Sequence, residues 1–145
     1  MSTQRLVRLR TASGIYPILP ALPPWLAYTQ GNIYFVRPAN GRDANDGRSP
    51  DKAFKTLKTL HAAMTANQND IGVMLSENNT GSATTDYLAA QLDWSKDLCH
   101  LIGVGSGVGT SPRSRISAQA AYNSAAPIFT VSADGCYFSD LQFHL

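Results

Sequence analysis

The chain has 145 residues, of which 43% are hydrophobic and 15% charged; these values exclude disorder throughout and fit one domain with a short appended segment. The net charge of +2 hides an asymmetry, because nine of the 12 Lys and Arg residues precede position 66 and seven of the ten Asp and Glu residues follow it. The basic first half favours an acidic protein partner over specific nucleic acid, since its basic residues are scattered and its aromatic residues lie in apolar strings.

Signals for export, membrane insertion and disulfide formation are weak in this sequence. The N-terminus lacks the apolar stretch of a signal peptide, and no apolar run reaches the roughly 18 residues of a membrane span. Cys99 and Cys136 are too few for a disulfide framework or a zinc cluster, so we interpret them as buried free thiols in a reducing compartment. The sequence therefore predicts a protein made in a cytoplasm that binds no membrane, metal or other cofactor.

Residues 1–30 form a segment with its own character. Four of the eight prolines fall in the stretch YPILPALPPWLAY, residues 16–28, where apolar side chains separate them. Proline fixes φ and removes a backbone donor, so this arm is predicted to be extended, partly as polyproline II, rather than helical or part of a central strand. Because the arm is apolar it needs a surface, which is either its own domain or a neighbouring subunit. Its predicted partner-binding residues are Arg5, Arg8, Arg10, Ile15, Tyr16, Leu19, Leu22, Trp25 and Tyr28.

From residue 31 onwards the pattern is that of a folded domain. The apolar and β-branched stretch IYFVRP, residues 33–38, predicts a strand that ends at its proline. After a loop rich in Gly and Asp, Ser49 is a candidate N-cap, Pro50 a candidate first helical residue and Asp51 part of the first turn. Apolar residues then recur at three- to four-residue spacing, which predicts a helix with one buried face. That face carries Phe54, Leu57, Leu60 and Met64.

Short strands separated by turns fill the rest of the chain. Three predicted strands begin at residues 71, 99 and 127, which are evenly spaced, and two more begin at 115 and 136. Strands that recur at such intervals are typical of a solenoid whose coils stack on one another. Between the first two coils, residues 84–94 are predicted to form a short helix or a loop excursion. The predicted strands cover residues 71–77, 99–105, 115–120, 127–133 and 136–143.

Several segments follow one another in the order of a known family: the first strand, the loop NGRDANDGRSPDKAFKTL, and the later segments LIGVG and VSADGCYFSDLQF. Together they resemble the start of right-handed parallel β-helix proteins of the pectin-lyase-like superfamily. The resemblance covers residues 31–145 and implies a mainly β fold. That fold is a short right-handed parallel β-helix with an N-terminal capping α-helix, preceded by the extended Pro-rich arm of residues 1–30. The residues that carry the opening of the resemblance are Tyr34, Val36, Pro38, Gly41, Asp43, Asn45, Asp46, Gly47, Ser49, Pro50, Phe54, Thr56 and Leu57.

The loop of residues 40–57 has two interpretations, a calcium site and a structural corner. A calcium loop of the EF-hand type needs acidic or amide ligands at positions 1, 3 and 5, glycine at 6 and glutamate at 12. Counted from Asp43 only positions 1 and 3 fit, so we favour Asx-turns and backbone hydrogen bonds that turn the first strand into the helix. The predicted structural cap, which closes the first coil, consists of Asp43, Asn45, Asp46, Gly47, Phe54, Leu57, Leu60 and Met64.

Catalytic patterns are weak in this sequence. Polysaccharide lyases and hydrolases on this fold use clustered carboxylates, but no two of Asp93, Asp97, Asp134 and Asp140 occupy equivalent positions on successive predicted coils. The three histidines share no metal-ligand spacing, and His100 is predicted to point outward if its neighbours point inward. Four aromatic residues have two interpretations, a sugar-stacking surface and packing in a core or an interface, and we favour packing. These residues are Tyr87, Trp94, Tyr122 and Tyr137.

The resemblance includes virion proteins, and the stretches LDWSKDLCHLIGVGS (92–106) and SPRSRIS (111–117) look most like structural proteins of tailed phages. We therefore expect a non-enzymatic virion component, either a capsid decoration or the base of a head or tail fibre, assembled in the host cytoplasm. Its expected partners are capsid, portal or tail proteins and two further copies in a homotrimer. The expected far end of the solenoid is bare, so that neighbouring copies or a longer product cover it. Two alternatives remain: a fragment of a tailspike-like protein that binds or degrades polysaccharide, and a carbohydrate-binding module.

Overall fold

The fold is described from a computed structural model, and it is mainly β, with parallel sheets and one α-helix. The structure describes residues 8–11, 14–17, 31–75, 85–104, 114–119, 122 and 125–144, with the backbone alone for 8–11, 14–17, 85–87 and 144.

The N-terminal segment contains an antiparallel hairpin. Strands β1 (Arg8–Thr11) and β2 (Gly14–Pro17) pair with each other, with Leu9 opposite Tyr16. The partner-binding residues predicted elsewhere in the arm lie outside the described residues. These are Arg5, Leu19, Leu22, Trp25 and Tyr28.

The first strand of the domain is β3 (Ile33–Val36), and the predicted helix after it is split into two pieces. A 3₁₀ turn (Pro50–Lys52) begins at the predicted cap Ser49, whereas helix α1 (Leu57–Ala63) begins at Thr56, whose hydroxyl accepts from the backbone N–H of Thr59. The prediction of one helix from residue 50 was therefore wrong.

Phe54 explains the split, because it lies beside β3 rather than on the helix. It forms a parallel bridge to Val36 and donates its backbone N–H to the carbonyl of Phe35 at 2.9 Å. The next two N–H groups, of Lys55 and Thr56, donate to the carboxylate of Asp43 instead of starting a helical turn. Tertiary hydrogen bonds thus override the helical periodicity of this stretch.

Eight further strands follow among the residues that the structure describes, and most of them pair in parallel with the strand three positions later in the chain. Their sheets have the orders β10-β7-β4-β3, β11-β8-β5 and β6-β9. In register, Ile71 lies opposite His100 and Leu101 opposite Phe138. The strands are β4 (Ile71–Leu75), β5 (Thr85–Leu88), β6 (Leu92–Trp94), β7 (His100–Val104), β8 (Ser114–Ala118), β9 (Phe129–Val131), β10 (Phe138–Ser139) and β11 (Leu141–His144).

The structure corrects one prediction about these coils and shows that even spacing does not identify the strands that pair. The strands predicted at 71–77, 99–105 and 127–133 are evenly spaced in the sequence, but they do not form one ladder: β9 pairs with β6, and β10 is the strand that follows β7. Residues 84–94 contain strands β5 and β6 rather than a helix or a loop excursion. The connections between strands differ in length, so equal intervals along the sequence do not identify the strands that stack.

Two groups of buried apolar side chains lie on the two faces of the four-stranded sheet. The larger group packs α1 against the strands and is centred on Trp94, Leu101 and Met74, all fully buried. The smaller group contains Phe35 and Ile102 and packs on the other face. Because both faces are covered, β4 and β7 read as continuous apolar runs rather than as alternating patterns.

Candidate interaction surface

The acidic loop after β3 is a hydrogen-bonded corner. The Asp43 carboxylate accepts from two backbone N–H groups at 2.9 Å, and Asn45 Nδ2 donates to the carbonyl of Ala53 at 2.8 Å. Asp46 Oδ1 accepts from the N–H two residues later, which is an Asx-turn. Gly47 has φ of +68°, and a Cβ there would meet the ring of Phe54. Among the described residues, no group of three His, Cys, Asp or Glu side chains is placed to hold a metal ion.

The apolar members of the predicted cap lie in the core beside this corner. Phe54, Leu57, Leu60 and Met64 are all at most 5% exposed. Lys96 holds the end of α1, since its Nζ donates to the carbonyls of His61 and Ala62 at 2.7 and 2.9 Å and also to that of Met64. A cation at this end complements the helix dipole and its unpaired carbonyls. Sequence reasoning missed this role of Lys96, which lies 35 residues from His61 in the chain.

An aromatic column runs from Trp94 to the last described coil. Ring centroids are separated by 6.2 Å between Trp94 and Phe129, by 5.6 Å between Trp94 and Phe138, and by 5.4 Å between Phe129 and Phe143. At one end of the column the Trp94 ring lies 4.7 Å from the ring of His61 on α1. The column therefore links the helix to the strands at the opposite end of the described structure.

The opposite end of the column is open to solvent. Phe143 is 53% exposed and Val131 is 49% exposed, although both belong to strands whose neighbours bury their apolar side chains. Strands β9, β10 and β11 each pair along one edge only in the part of the chain that the structure describes. We call this surface the open end, and it comprises Phe129, Val131, Phe138, Leu141 and Phe143.

The carboxylates near the strands are engaged in structural hydrogen bonds. Asp93 accepts from the hydroxyls of Thr130 and Ser132 at 2.8 and 2.7 Å, and these bonds lower the pKa of its carboxyl. Asp97 accepts from the backbone N–H of Asp134 at 2.9 Å. A general acid needs a raised pKa, so the environment of Asp93 is the reverse of the one that such a residue requires.

The described aromatic side chains considered for sugar stacking lie in different surroundings. Trp94 is fully buried and its Nε1 donates to the carbonyl of Cys99 at 3.0 Å. Tyr122 donates its hydroxyl to the carbonyl of Ala126, and Tyr137 packs against the smaller apolar group. The side chain of Tyr87 lies outside the described residues.

A small apolar cavity of about 220 Å³ lies between the first turn of α1 and the link from β5 to β6. Thr56 and Lys58 line it on the helix side, and Leu88 and Leu92 line it on the strand side. Its size is below the range of typical small-molecule pockets, which begin at about 300 Å³.

Both described histidine side chains are buried, so the prediction that His100 points outward was wrong. The backbone N–H of Tyr137 donates to His100 Nδ1 at 3.1 Å, and His100 Nε2 lies 3.3 Å from Asn69 Oδ1, which fixes the neutral tautomer. Burial lowers the pKa of His100. The pKa of His61 is also lowered, first by burial and then by the positive charge of Lys96, while the negative charge of Asp93 has a smaller opposing effect.

These shifts predict that acid weakens the fold. A histidine with a lowered pKa in the folded state contributes stability above its unfolded pKa of about 6.5, and this contribution is lost as the pH falls below that value. We expect the free energy of unfolding, measured with urea, to fall steadily from pH 7.5 to pH 5. His100→Asn keeps an acceptor for the N–H of Tyr137. This variant should be less stable at neutral pH, but its free energy of unfolding should change less between pH 7.5 and pH 5. If the free energy of unfolding of this variant fell as steeply with pH as that of the wild type, His100 would not contribute to the loss of stability in acid.

The two cysteines lie at matched positions, each two residues before a paired residue of β7 or β10. Cys99 is fully buried and Cys136 partly buried, and neither forms a disulfide. Burial raises the pKa of Cys99 to about 11 and raises the pKa of Cys136 as well. Both thiols are therefore protonated at neutral pH, which makes them poor nucleophiles.

In comparisons with known proteins, no family model, no curated protein and no solved structure matches this chain. None of the described helices is long and apolar enough to cross a membrane.

Proposed function

We propose that this protein is a non-enzymatic structural component of a tailed-phage virion, either a capsid decoration or the base of a head or tail fibre. The observation that carries this proposal is the open end. A stack of parallel strands that exposes Phe143 and Val131 beside edges that no other described strand pairs is suited to assembly with other protein surfaces.

The proposed architecture is a short right-handed parallel β-helix that α1 caps. Its support is the pairing order, in which β4, β5 and β6 are followed in the next coil by β7, β8 and β9 in the same three sheets. Right-handed crossovers are the rule for parallel strands of one sheet. The cap is supported by Leu60, because a Cβ added at Gly72 would meet its side chain, which places α1 directly against β4.

The non-enzymatic part of the proposal is supported by the bonds of the acids. Asp43, Asp46, Asp93 and Asp97 each accept hydrogen bonds that tie one piece of backbone or one strand to another. Such carboxylates stabilise the fold, and we expect their removal to lower the free energy of unfolding rather than a catalytic rate.

The proposed location is the virion, with residues 1–30 as the anchoring arm and a homotrimer as the assembled unit. This arm combines three arginines and no acid with the apolar, proline-rich stretch of residues 16–28. A partner can bind an extended segment of that composition through hydrogen bonds to its main chain and contacts with every second side chain.

Deletion of residues 1–30 tests the anchor. We expect the truncated protein to unfold as cooperatively as the full chain but to lose attachment to particles assembled without the protein, as measured by co-sedimentation. The triple variant Arg5→Ala, Arg8→Ala, Arg10→Ala should bind more weakly and with less dependence on salt. Attachment of the truncated protein at the level of the full chain would show that the arm is not the anchor.

One observation favours the alternative of a tailspike-like polysaccharide-binding or polysaccharide-degrading fragment. Gln91, Asp93, Thr130 and Ser132 form a hydrogen-bonded polar strip across β6 and β9, and the Gln91, Asp93 and Ser132 side chains are exposed. Such a strip can present donors and acceptors to a sugar chain. A reducing-sugar assay on host surface polysaccharide separates the two, since release of sugar would support the alternative.

A further inference from the structure

The open end has an acidic rim. Asp134 lies in the connection from β9 to β10 and Asp140 in the connection from β10 to β11, and both are exposed. Residues 125–144 contain no Lys or Arg, and the cation that reaches their last strand is Arg115 of β8, whose Nε donates to Gln142 Oε1 at 3.2 Å. The exposed side chains of Phe143 and Val131 and the two carboxylates together form an apolar centre with a negative border, which is the arrangement of a protein-binding patch.

The opposite end of the described structure has the complementary charge. The corner and α1, residues 40–63, contain five Lys and Arg residues and three Asp residues. Two of those acids, Asp43 and Asp46, accept backbone hydrogen bonds of the corner itself. The basic side chains are exposed; we call this surface the basic end, and it comprises Arg42, Arg48, Lys52, Lys55 and Lys58.

We propose that the open end of one copy binds the basic end of a second copy, so that the chains associate head to tail. The carboxylates of Asp134 and Asp140 then face Lys and Arg side chains of the neighbouring copy. The alkyl stems of those side chains cover Phe143 and Val131, and their cationic groups lie over the exposed ring. The chain itself already contains one contact of this kind, in which the guanidinium of Arg48 lies 4.6 Å from the centroid of the Tyr34 ring.

A second copy is the occupant that the observations support, because both complementary surfaces are present on the same chain. A head-to-tail contact joins two different surfaces. If the rotation between neighbouring copies closes after a few copies, the contact produces a ring; otherwise it produces an open stack. The proposal concerns self-association alone. It holds or fails independently of attachment to a virion, since it needs no other protein.

Charge exchange between the two ends tests the proposal with the full chain. Sedimentation velocity of the wild type at low salt is expected to show concentration-dependent association, which weakens as salt is added. The open-end variant carries Asp134→Lys and Asp140→Asn, the latter because Asp140 has φ of 55°, which asparagine tolerates. The basic-end variant carries Lys52→Glu and Lys55→Glu. Each variant alone is expected to self-associate about tenfold more weakly or worse.

The mixture of the two variants is the decisive sample. The reversed open end of one variant matches the reversed basic end of the other, and the two unaltered ends match each other as in the wild type. The mixture should therefore regain association, with the two variants alternating along the assembly. Gln91→Lys, an exposed charge change on the link to β6, should associate like the wild type. A wild type that stays monomeric at all concentrations overturns the proposal. So does association that ignores the end variants, or a mixture that behaves as two separate variants.

Discussion

Replacement of Trp94 by alanine is expected to lower the free energy of unfolding by about 4 kcal/mol, within the range for removal of large aromatic side chains from cores. Trp94 is fully buried and contacts ring systems on both sides, His61 of α1 and Phe129 of β9. Its Nε1 also donates to the carbonyl of Cys99, which the substitution leaves without that donor. The cavity therefore opens where the helix, the strands and the aromatic column meet.

Urea unfolding checks this expectation, with the slope of the transition showing whether the two-state character is kept. Trp94→Phe retains an aromatic ring but loses the hydrogen bond, and it should cost about half as much. Phe143→Ala removes a ring that is half exposed, so it should cost less than about 1 kcal/mol when measured at low protein concentration. Equal costs at the buried and the exposed aromatic would mean that the core is not centred on Trp94.

The general character of the fold was predictable from the sequence. The short apolar stretches separated by turns predicted a mainly β chain, and the structure confirms a mainly β fold with parallel sheets and one helix. The start of the first strand and the capping role of Ser49 were also predictable from the sequence, because both depend on residues close together in the chain. Local chemistry is what a single sequence reports directly.

The errors arose where distant residues decide the outcome. Phe54 has helical spacing to Leu57, yet its backbone pairs with β3 and its neighbours bond to Asp43. His100 was predicted to point outward from the alternation of a strand with one exposed face, but the sheet is covered on both faces. The stacking partner of β9 does not follow from the even spacing of the strands for a related reason, since the pairing depends on connection lengths that periodicity does not reveal.

The candidate surface was predictable only in outline. A bare end of the solenoid was expected, but the side chains that form it, above all Phe143 and Val131, could not be separated from core residues by sequence. Both have the residue type and strand position of buried residues. Only the pairing order shows that no further strand among the described residues covers them.

Asp70 gives the second large expected effect, because it is a fully buried carboxylate that serves two backbone donors. Its Oδ1 accepts from the N–H of Asn32 at 2.7 Å and its Oδ2 from the N–H of Thr65 at 2.8 Å. The carboxylate thus ties the entry of β3 and the segment after α1 to the start of β4. Asp70→Ala leaves both donors unpaired, and we expect a loss of about 3 kcal/mol, since each such donor costs about 1–3 kcal/mol.

The graded control is Asp70→Asn, whose single amide oxygen can serve one donor but not both. It should lie about midway between the wild type and Asp70→Ala in urea unfolding, while Asp51→Ala, at an exposed acid, should stay within about 0.5 kcal/mol of the wild type. Hydrogen exchange locates the effect, because the amides of Asn32 and Thr65 should lose protection first. If Asp70→Ala proved as stable as Asp51→Ala, the buried carboxylate would not hold these segments together. The attachment of α1 to the strands would then depend on the contact with Trp94 and the hydrogen bonds from Lys96 alone.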